Sequence, residues 1–349
     1  MTTSSIAEPD LQSICRSALG RDVAAAERIG TGRNSRVFRV ELDGADRRRV
    51  VVKVYRCDPG DQRDRLGTEF GSLQFLWQNN VRSIPCPIAL DRDRHCAIYE
   101  YIIGTVATSG TIATEDVDTL VNFLSALKRL RDVPDSDALP AASEACFSLG
   151  DLVTHVEGRL ARLRRARGGD DEVRTLHEWI DATLNPLLIE VGEWCRNEAR
   201  QSAIAFDEPL SRQARTLSPS DFGFHNAIRR PDGTLAFVDF EYFGWDDPAK
   251  TIVDYLLHPG MALGDVLKQR FANRMQAAFA DVPRLAARAR IVYPLYGLKW
   301  ALILLNDFLP ERFSQTHGEW RRAQLAKAQN LVGHVKRNYP HNPYISRNE

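Results

Sequence analysis

The sequence lacks an excess of charge of either sign. Its 349 residues carry 46 Lys and Arg against 46 Asp and Glu, so the formal net charge is zero. Without a global positive field, the chain has little to attract nucleic acid or an anionic membrane surface. We therefore expect no nucleic-acid partner and look for a function that depends on a local site.

Long hydrophobic runs are also missing. The most apolar stretch, residues 291–309, is interrupted by Pro294, Lys299 and Asp307. It falls short of the roughly 20 apolar residues that a membrane-spanning helix needs. The N-terminus has no basic segment followed by an apolar one, as a secretion signal would have. No membrane insertion is expected, and the cytoplasm is the expected compartment.

Cysteine is sparse and unpatterned. The six cysteines are scattered without a Cys-x-x-Cys pair or a nearby group of histidines, which argues against a disulfide framework and a zinc site.

Hydrophobic residues make up 44% of the chain and charged residues 26%, an ordinary balance for a globular protein. The length favours about two domains or one large two-lobed unit.

The first third of the chain has the alternation of β-strands. After a short helix that begins at Pro9-Asp10, residues 27–56 predict three strands separated by a glycine-rich turn and by an Asp43-Gly44 turn. Residues 64–78 predict a helix, and residues 81–104 predict two more strands. We expect a small antiparallel sheet with one helix in this region.

The rest of the chain is mainly helical in pattern. Residues 216–240 are the exception, with strand-like runs on either side of the turn Pro231-Asp232-Gly233 and a final strand that extends to Phe240. Gly168-Gly169 is expected to separate two long helices. The predicted helices begin near Thr114, cover about 149–167 and 171–202, and continue from 249 to the end.

A glycine-rich turn lies between the first two predicted strands, in Gly30-Thr31-Gly32-Arg33-Asn34-Ser35. Such a turn lets backbone N–H groups approach a phosphate. It is neither a Walker A loop nor a dinucleotide fingerprint, because the Gly-Lys-Ser/Thr ending is missing and a strand follows. Taken alone, the segment is better explained as a plain hairpin turn.

A lysine lies in the middle of an apolar strand, Lys53 within residues 50–55. A buried ammonium needs a partner because its desolvation is costly. Glu69, on the next predicted helix, is the candidate partner. The alternative is an edge strand whose lysine faces water.

Two later segments place an acid where a strand or loop ends. They are residues 220–226, with Asp221 and Asn226, and residues 237–241, with Asp239. Two carboxylates and an amide can hold a divalent metal on one side and accept a hydroxyl proton on the other. Singly, each aspartate can equally be a turn or cap residue.

Taken in order, these segments resemble the aminoglycoside phosphotransferase and choline-kinase-like family, small-molecule kinases of protein-kinase-like fold. The resemblance runs from about Glu27 to Asp254. It implies a bilobal α+β fold, with an N-lobe of antiparallel sheet and one helix over 1–104 and a mainly helical C-lobe over 105–349. It also implies transfer of the γ-phosphoryl of ATP, or of GTP, to a hydroxyl of a small molecule, with Mg²⁺ as cofactor.

The resemblance implies a role for each matching residue. The nucleotide-binding residues that it implies are Gly30, Gly32, Asn34 and Ser35 in the phosphate loop, Lys53 held by Glu69, and Glu100, Tyr101 and Ile102 in the hinge. The remaining roles are those of Asp221 as the base, Asn226 and Asp239 as magnesium ligands, and Asp254 as support of the catalytic loop.

The chain departs from the family at the catalytic loop. The family usually has His-Gly-Asp there, whereas this chain has Pro219-Ser220-Asp221. The departure motivates a rival hypothesis, a pseudokinase that binds nucleotide as a sensor or scaffold without turnover. The presence of both Asn226 and Asp239 argues against that rival. A protein substrate is less favoured, because little room for an activation loop follows Asp239.

The acceptor is expected to be an aminoglycoside, an amino sugar, a sugar or an amino alcohol. The candidate substrate contacts are His225, Glu241, Asp246 and Asp247. The plainer alternatives are a local hydrogen-bonding role for His225 and a turn that caps the helix near Pro248 for the two aspartates. The arginine-rich stretch 159–167 is expected to be a solvated basic face rather than a binding patch.

Overall fold

The computed structural model describes residues 9–30, 32, 34–57, 61, 63–167, 171–313 and 316–345. Gly168-Gly169, the expected break between two helices, lies outside these residues. The chain forms two compact units. Their segments are Met1–Thr108, Asp132–Ser143 and Pro219–Gly244 for the first unit, and Ser109–Arg131, Glu144–Ser218 and Trp245–Glu349 for the second. The lobe boundary expected at residue 104 stays a sequence prediction.

Helices account for most of the regular structure. In chain order they are α1 Leu11–Leu19, α2 Arg65–Gln78, α3 Thr114–Arg129, α4 Leu149–Leu163, α5 Asp171–Trp179, α6 Asn185–Gln201, α7 Pro248–Leu257, α8 Asp265–Ala278, α9 Leu285–Leu304, α10 Pro310–Phe313 and α11 Gly318–Asn338. No helix among the described residues is long and apolar enough to cross a membrane.

The strands are short and lie mainly in the first unit. They are β1 Val23–Gly30, β2 Ser35–Leu42, β3 Arg49–Tyr55, β4 Pro87–Asp91, β5 Cys96–Glu100, β6 Thr105–Val106, β7 Thr216–Ser218, β8 Ala227–Arg229, β9 Leu235–Phe237 and β10 Gly244–Asp246. Two of them, β7 and β10, pair with each other as a separate two-stranded sheet.

The first unit contains a five-stranded sheet in the order β1-β2-β3-β5-β4. All neighbouring strands are antiparallel, which confirms the predicted sheet. One face of the sheet packs on α1, where Phe38, Val52 and Val54 meet Ile14 and Cys15. Each buried side chain of this size contributes about 1.5–3 kcal/mol.

The opposite face of the same sheet carries the polar side chains of the site. Val37 lies opposite Lys53 in the β2–β3 register, and Lys53 lies opposite Ala97 in the β3–β5 register. Side chains alternate between the two faces of a strand. The apolar core at Val52 and Val54 therefore directs Lys53 away from α1.

A second, three-stranded sheet, β6-β8-β9, holds the two acidic segments. The segment with Asp221 leads into β8, and the segment with Asp239 follows β9. The sequence predicted that the last strand would extend to Phe240, but it ends at Phe237. The backbone of Asp239 has a φ of 70°, and this left-handed conformation cannot continue an extended strand.

In the second unit, α9 is the central helix and packs against α4, α6, α7 and α11. The predicted single helix over 171–202 is wrong in one detail, because a wider π-type turn at Ile180–Leu184 separates α5 from α6. The N–H of Asn185 donates to the carbonyl of Ile180 there. Pro186 follows and has no N–H for a regular helical bond, so the backbone uses this wider turn.

Candidate active site

The centre of the candidate site is Lys53, on the middle strand β3. Its Nζ donates to Glu69 Oε2 on α2 and to Asp239 Oδ1, each at 2.6 Å. The side chain of Lys53 is 7% exposed, whereas that of Asp239 is 41% exposed and can reach a ligand. The alternative of an edge lysine that faces water is therefore wrong.

Negative charges outnumber positive ones around Lys53. Burial alone would lower the pKa of Lys53, but the carboxylates of Glu69, Asp239 and Glu241 together raise it above its usual value. Burial raises the pKa of Glu69, against the lowering effect of Lys53. The ligating oxygens of these three acids all lie within 4.8 Å of one another. Three carboxylates around one ammonium make a site that favours an additional cation.

A pair of tyrosines holds Glu69 in place, an arrangement that the sequence analysis did not predict. Tyr55 Oη donates to Glu69 Oε2 at 2.7 Å and bonds to Tyr99 Oη at 2.9 Å. Both tyrosines are buried. Tyr55 lies two residues after Lys53 and so shares its face of the strand, which is the signal that could have identified it.

Asp239 adopts a backbone conformation that is uncommon for any residue other than glycine. Its φ is 70°, which costs of order 1–3 kcal/mol and is typical of functional sites. The segment is held on both sides, because Val238 N donates to Asn226 O at 2.9 Å and Phe240 N donates to Glu69 Oε1 at 3.4 Å. The fold thus places the carboxylate of Asp239 at Lys53.

The catalytic-loop residues form a compact turn before β8. Asn226 Nδ2 donates to the backbone oxygen of Asp221 at 3.0 Å, so the amide oxygen of Asn226 is the atom that could bind a metal ion. His225 Nε2 is 3.1 Å from Asp221 Oδ1. Ser220, in the place of the family's glycine, takes a left-handed φ of 68°, and its Oγ donates to Ser143 O at 3.2 Å. The turn is therefore held in place without the family's histidine at position 219.

Glu241, expected as a substrate contact, is instead 4% exposed. Its Oε1 accepts hydrogen bonds from Arg65 Nη1 at 2.7 Å and from Asn34 Nδ2 at 2.6 Å. Tyr242 Oη accepts from the same two residues. Sequence reasoning missed Arg65 and Tyr242, although Arg65 lies one helical turn before Glu69 on the same face of α2.

Besides Lys53 on β3, the nucleotide-binding residues expected from the resemblance lie at two places in the first unit. Gly30 ends β1 and Ser35 begins β2, so the segment with Gly32 and Asn34 joins two paired strands. Glu100 ends β5, and its backbone N–H and its side chain both bond to Cys86. Tyr101 and Ile102 follow it outside any helix or strand.

The remaining acids lie in the second unit and are engaged in buried ion pairs. Asp246 Oδ2 accepts from Lys250 Nζ at 2.6 Å, and Asp254 Oδ1 accepts from Trp300 Nε1 at 3.0 Å. Asp247 caps α7 by accepting from Ala249 N at 2.8 Å. The helix-capping alternative for this segment matches these contacts, and the support of the catalytic loop by Asp254 stays a prediction.

Removing Asp247 should destabilise the second unit. Its carboxylate pairs with Arg288 Nε at 2.5 Å, and both residues are buried. We expect Asp247→Ala to cost about 3–5 kcal/mol, because a buried guanidinium is left without its partner. Urea denaturation followed by tryptophan fluorescence measures this loss. Glu193→Ala, at an exposed position of α6, is the control, and an equal loss in both variants would contradict the assignment.

The arginine-rich stretch is largely neutralised within the second unit. Arg162 Nη2 is 3.0 Å from Glu311 and Arg164 Nη2 is 3.0 Å from Asp181. Arg159 pairs with Glu144, whose pKa is lowered by His155, Lys299 and Arg159 despite its burial. These pairs agree with the interpretation as a basic face rather than a binding patch.

Comparison with known proteins identifies the family. The model of the family described as "Phosphotransferase enzyme family" matches residues 25–288. The chain belongs to this family. The chain is therefore a phosphotransferase, and the resemblance that its motifs predicted is confirmed. No curated protein sequence matches the chain at a significant level.

Solved structures confirm the kinase-like α+β fold. Spectinomycin phosphotransferase APH(9)-Ia, in complex with ADP and spectinomycin, has a TM-score of 0.67 at 12% identity, over 97% of this chain and 99% of that one. Choline kinase from Cryptosporidium parvum has a TM-score of 0.60 at 13% identity, over 94% and 96%. Choline kinase LicA from Streptococcus pneumoniae has a TM-score of 0.58 at 14% identity, over 93% and 98%.

Proposed function

We propose that this phosphotransferase moves the γ-phosphoryl group of ATP to a hydroxyl group of a small molecule. One observation supports the proposal above all. Lys53 Nζ is buried and lies 2.6 Å from a carboxylate oxygen of Glu69 and 2.6 Å from one of Asp239. An ammonium group has three protons, and these bonds use two of them. The third proton can donate to a phosphate oxygen, so Lys53 would hold the α- and β-phosphates in the orientation that Glu69 sets.

The residues around Lys53 fit a magnesium ion. Glu241 Oε2 is buried and has no hydrogen-bond partner among the described residues, with Lys53 Nζ 4.0 Å away, and a buried carboxylate oxygen without a hydrogen bond is costly unless a cation meets it. Asp239 and Asn226 would hold Mg²⁺, with Glu241 beside them, since hard cations prefer carboxylate and amide oxygens. When bound, Mg²⁺ would neutralise part of the phosphate charge.

Asp221 is the proposed base. Its carboxylate would accept or orient the proton of the acceptor hydroxyl, and His225, 3.1 Å from Oδ1, would hold the carboxylate in one rotamer. Positioning and charge neutralisation account for most of phosphoryl-transfer catalysis, so no covalent nucleophile is needed.

The proposed acceptor is an aminoglycoside, an amino sugar, a sugar or an amino alcohol. Similar folds include a phosphotransferase solved with spectinomycin and ADP, and two choline kinases. ATP is the proposed phosphoryl donor, and GTP is the alternative. We place the reaction in the cytoplasm, since the six cysteines are free thiols and thiols persist in reducing compartments.

Calorimetric titration with ATP, with and without Mg²⁺, tests the nucleotide site. We expect wild type to bind ATP about tenfold or more tightly when Mg²⁺ is present, and Asp239→Asn to lose that gain, because the variant removes a negative ligand. Asp232→Asn, in the exposed turn of the β8–β9 hairpin, is the matched control. Absence of binding by wild type to both ATP and GTP would overturn the proposal, whereas binding without any transfer would favour the pseudokinase.

A further inference from the structure

Arg65 lies at the start of α2 and is bonded along both edges of its guanidinium group. Its Nη1 donates to Glu241 Oε1 at 2.7 Å and to Tyr242 Oη at 2.6 Å. Its Nε and Nη2 donate to Asp61 Oδ2 at 3.1 and 2.6 Å. Arg65 is 8% exposed. A guanidinium presents its donors in a fixed planar fork, so Arg65 fixes the positions of both Glu241 and Tyr242.

Asn34, between Gly32 and β2, uses the same two acceptors. Its Nδ2 donates to Glu241 Oε1 at 2.6 Å and to Tyr242 Oη at 2.7 Å. The segment that joins β1 to β2 and the segment after Asp239 therefore meet at one pair of oxygen atoms. Burial raises the pKa of Tyr242 to about 12, so the tyrosine remains a neutral hydroxyl at ordinary pH.

The second oxygen of Glu241 is in a different situation. Oε2 lies 4.0 Å from Lys53 Nζ and has no hydrogen-bond partner among the described residues. The carboxylate is thus held through Oε1, while Oε2 is directed at the group formed with Glu69 and Asp239. Because two donors hold Oε1, the whole carboxylate is fixed in one orientation. A cation that binds Oε2 therefore loses little free energy in ordering this side chain.

We propose that Arg65, with Asn34 and Tyr242, couples the binding of nucleotide to the binding of Mg²⁺. These positioning residues fix Glu241, whose Oε2 would be available to the metal, and tie the phosphate loop to the same carboxylate through Asn34. The inference rests on the proposed function, because it assumes that ATP and Mg²⁺ bind here. It assigns a role to Arg65 and Tyr242, which no sequence motif singled out.

Coupling follows because one carboxylate takes part in both binding events. A cation at Glu241 Oε2 stabilises the arrangement in which Asn34 is bonded to Oε1, and a nucleotide that orders the loop stabilises the same arrangement. Coupling of this kind is reciprocal and typically amounts to about 5–150-fold in affinity. Without Arg65, Glu241 Oε1 and Tyr242 Oη keep only their bonds from Asn34, so the two segments are held together less firmly.

The test is the factor by which Mg²⁺ tightens ATP binding, measured by calorimetry on the full chain. We expect this factor to fall at least about fivefold in Arg65→Met and in Tyr242→Phe, while the affinity for ATP without metal stays within about twofold. Arg63→Gln is the matched control. Arg63 also bonds Asp61 and lies over the Tyr242 ring, but in the described part of the chain it does not bond to Glu241. Its factor should equal that of wild type.

Two outcomes would overturn the inference. One is an unchanged Mg²⁺ factor in both variants, and the other is an equal loss of ATP affinity with and without metal, which would indicate that the residues only shape the fold. Tyr242→Phe removes a single oxygen atom and keeps the test valid if Arg65→Met fails to fold. Failure of wild type to bind Mg²⁺-ATP would instead contradict the proposed function, so the two failures are distinguishable.

Discussion

Asp221→Asn should lower the rate of phosphoryl transfer by about 10²–10⁴-fold, the usual contribution of a positioned general base. The substitution keeps the size of the side chain and an oxygen for His225, which is 3.1 Å from Asp221 Oδ1. It removes the negative charge that accepts or orients the hydroxyl proton. The loss should therefore appear in kcat, measured with an acceptor that wild type phosphorylates.

The affinity for ATP separates this role from a structural one. Asp221 bonds to His225 and Asn226 in the turn before β8, whereas Lys53 bonds to Glu69 and Asp239, so Asp221→Asn should bind Mg²⁺-ATP within about twofold of wild type. Asp232→Asn, in the neighbouring hairpin turn, should change neither kcat nor the affinity for Mg²⁺-ATP. A kcat within threefold of wild type would remove Asp221 from its role as the base.

Lys53→Met should abolish tight ATP binding and also destabilise the first unit. Lys53 compensates Glu69 and Asp239 at 2.6 Å each, and Glu241 at 4.0 Å. Its removal leaves the buried carboxylate of Glu69 without a cation, and breaking a buried ion pair costs about 3–5 kcal/mol. Urea denaturation measures the loss of stability, and calorimetry with Mg²⁺-ATP measures the loss of binding.

Arg47→Met is the matched control for Lys53→Met. Arg47 lies in the turn before the same strand, and its side chain is 83% exposed, with a loose ion pair of 3.6 Å to Glu41. Such a pair contributes about 0–1 kcal/mol, so this variant should retain both stability and binding. Wild-type stability in Lys53→Met would contradict the central place given to Lys53.

The sheet of the first unit was predictable because its signal is local. Alternating apolar residues and the Asp43-Gly44 turn predict β2 and β3, and the structure confirms them as antiparallel neighbours. The end of β9 was not predictable in the same way. Residues 235–240 are apolar enough for one strand, but the left-handed backbone at Asp239 is set by tertiary contacts with Glu69 and Asn226.

Long-range charge pairing explains most of what the sequence left open. Arg65 and Glu241 are separated by 176 positions in the chain, and nothing in either segment identifies the other as its partner. The same holds for Asp247 and Arg288 in the second unit. A charged residue in an apolar segment predicts that a partner exists, but only the fold identifies that partner.

An assay for phosphorylation of a small molecule is the most direct test of the proposed reaction. Wild type and Asp221→Asn are incubated with Mg²⁺ and ATP, or GTP, and with a panel that includes spectinomycin, choline, ethanolamine, amino sugars and sugars. Mass spectrometry of the acceptors detects the product. We expect one acceptor to gain a single phosphoryl group with wild type. The same acceptor should gain it far more slowly with Asp221→Asn. Equal product from both proteins, or Mg²⁺-ATP binding with no phosphorylated acceptor, would contradict this expectation.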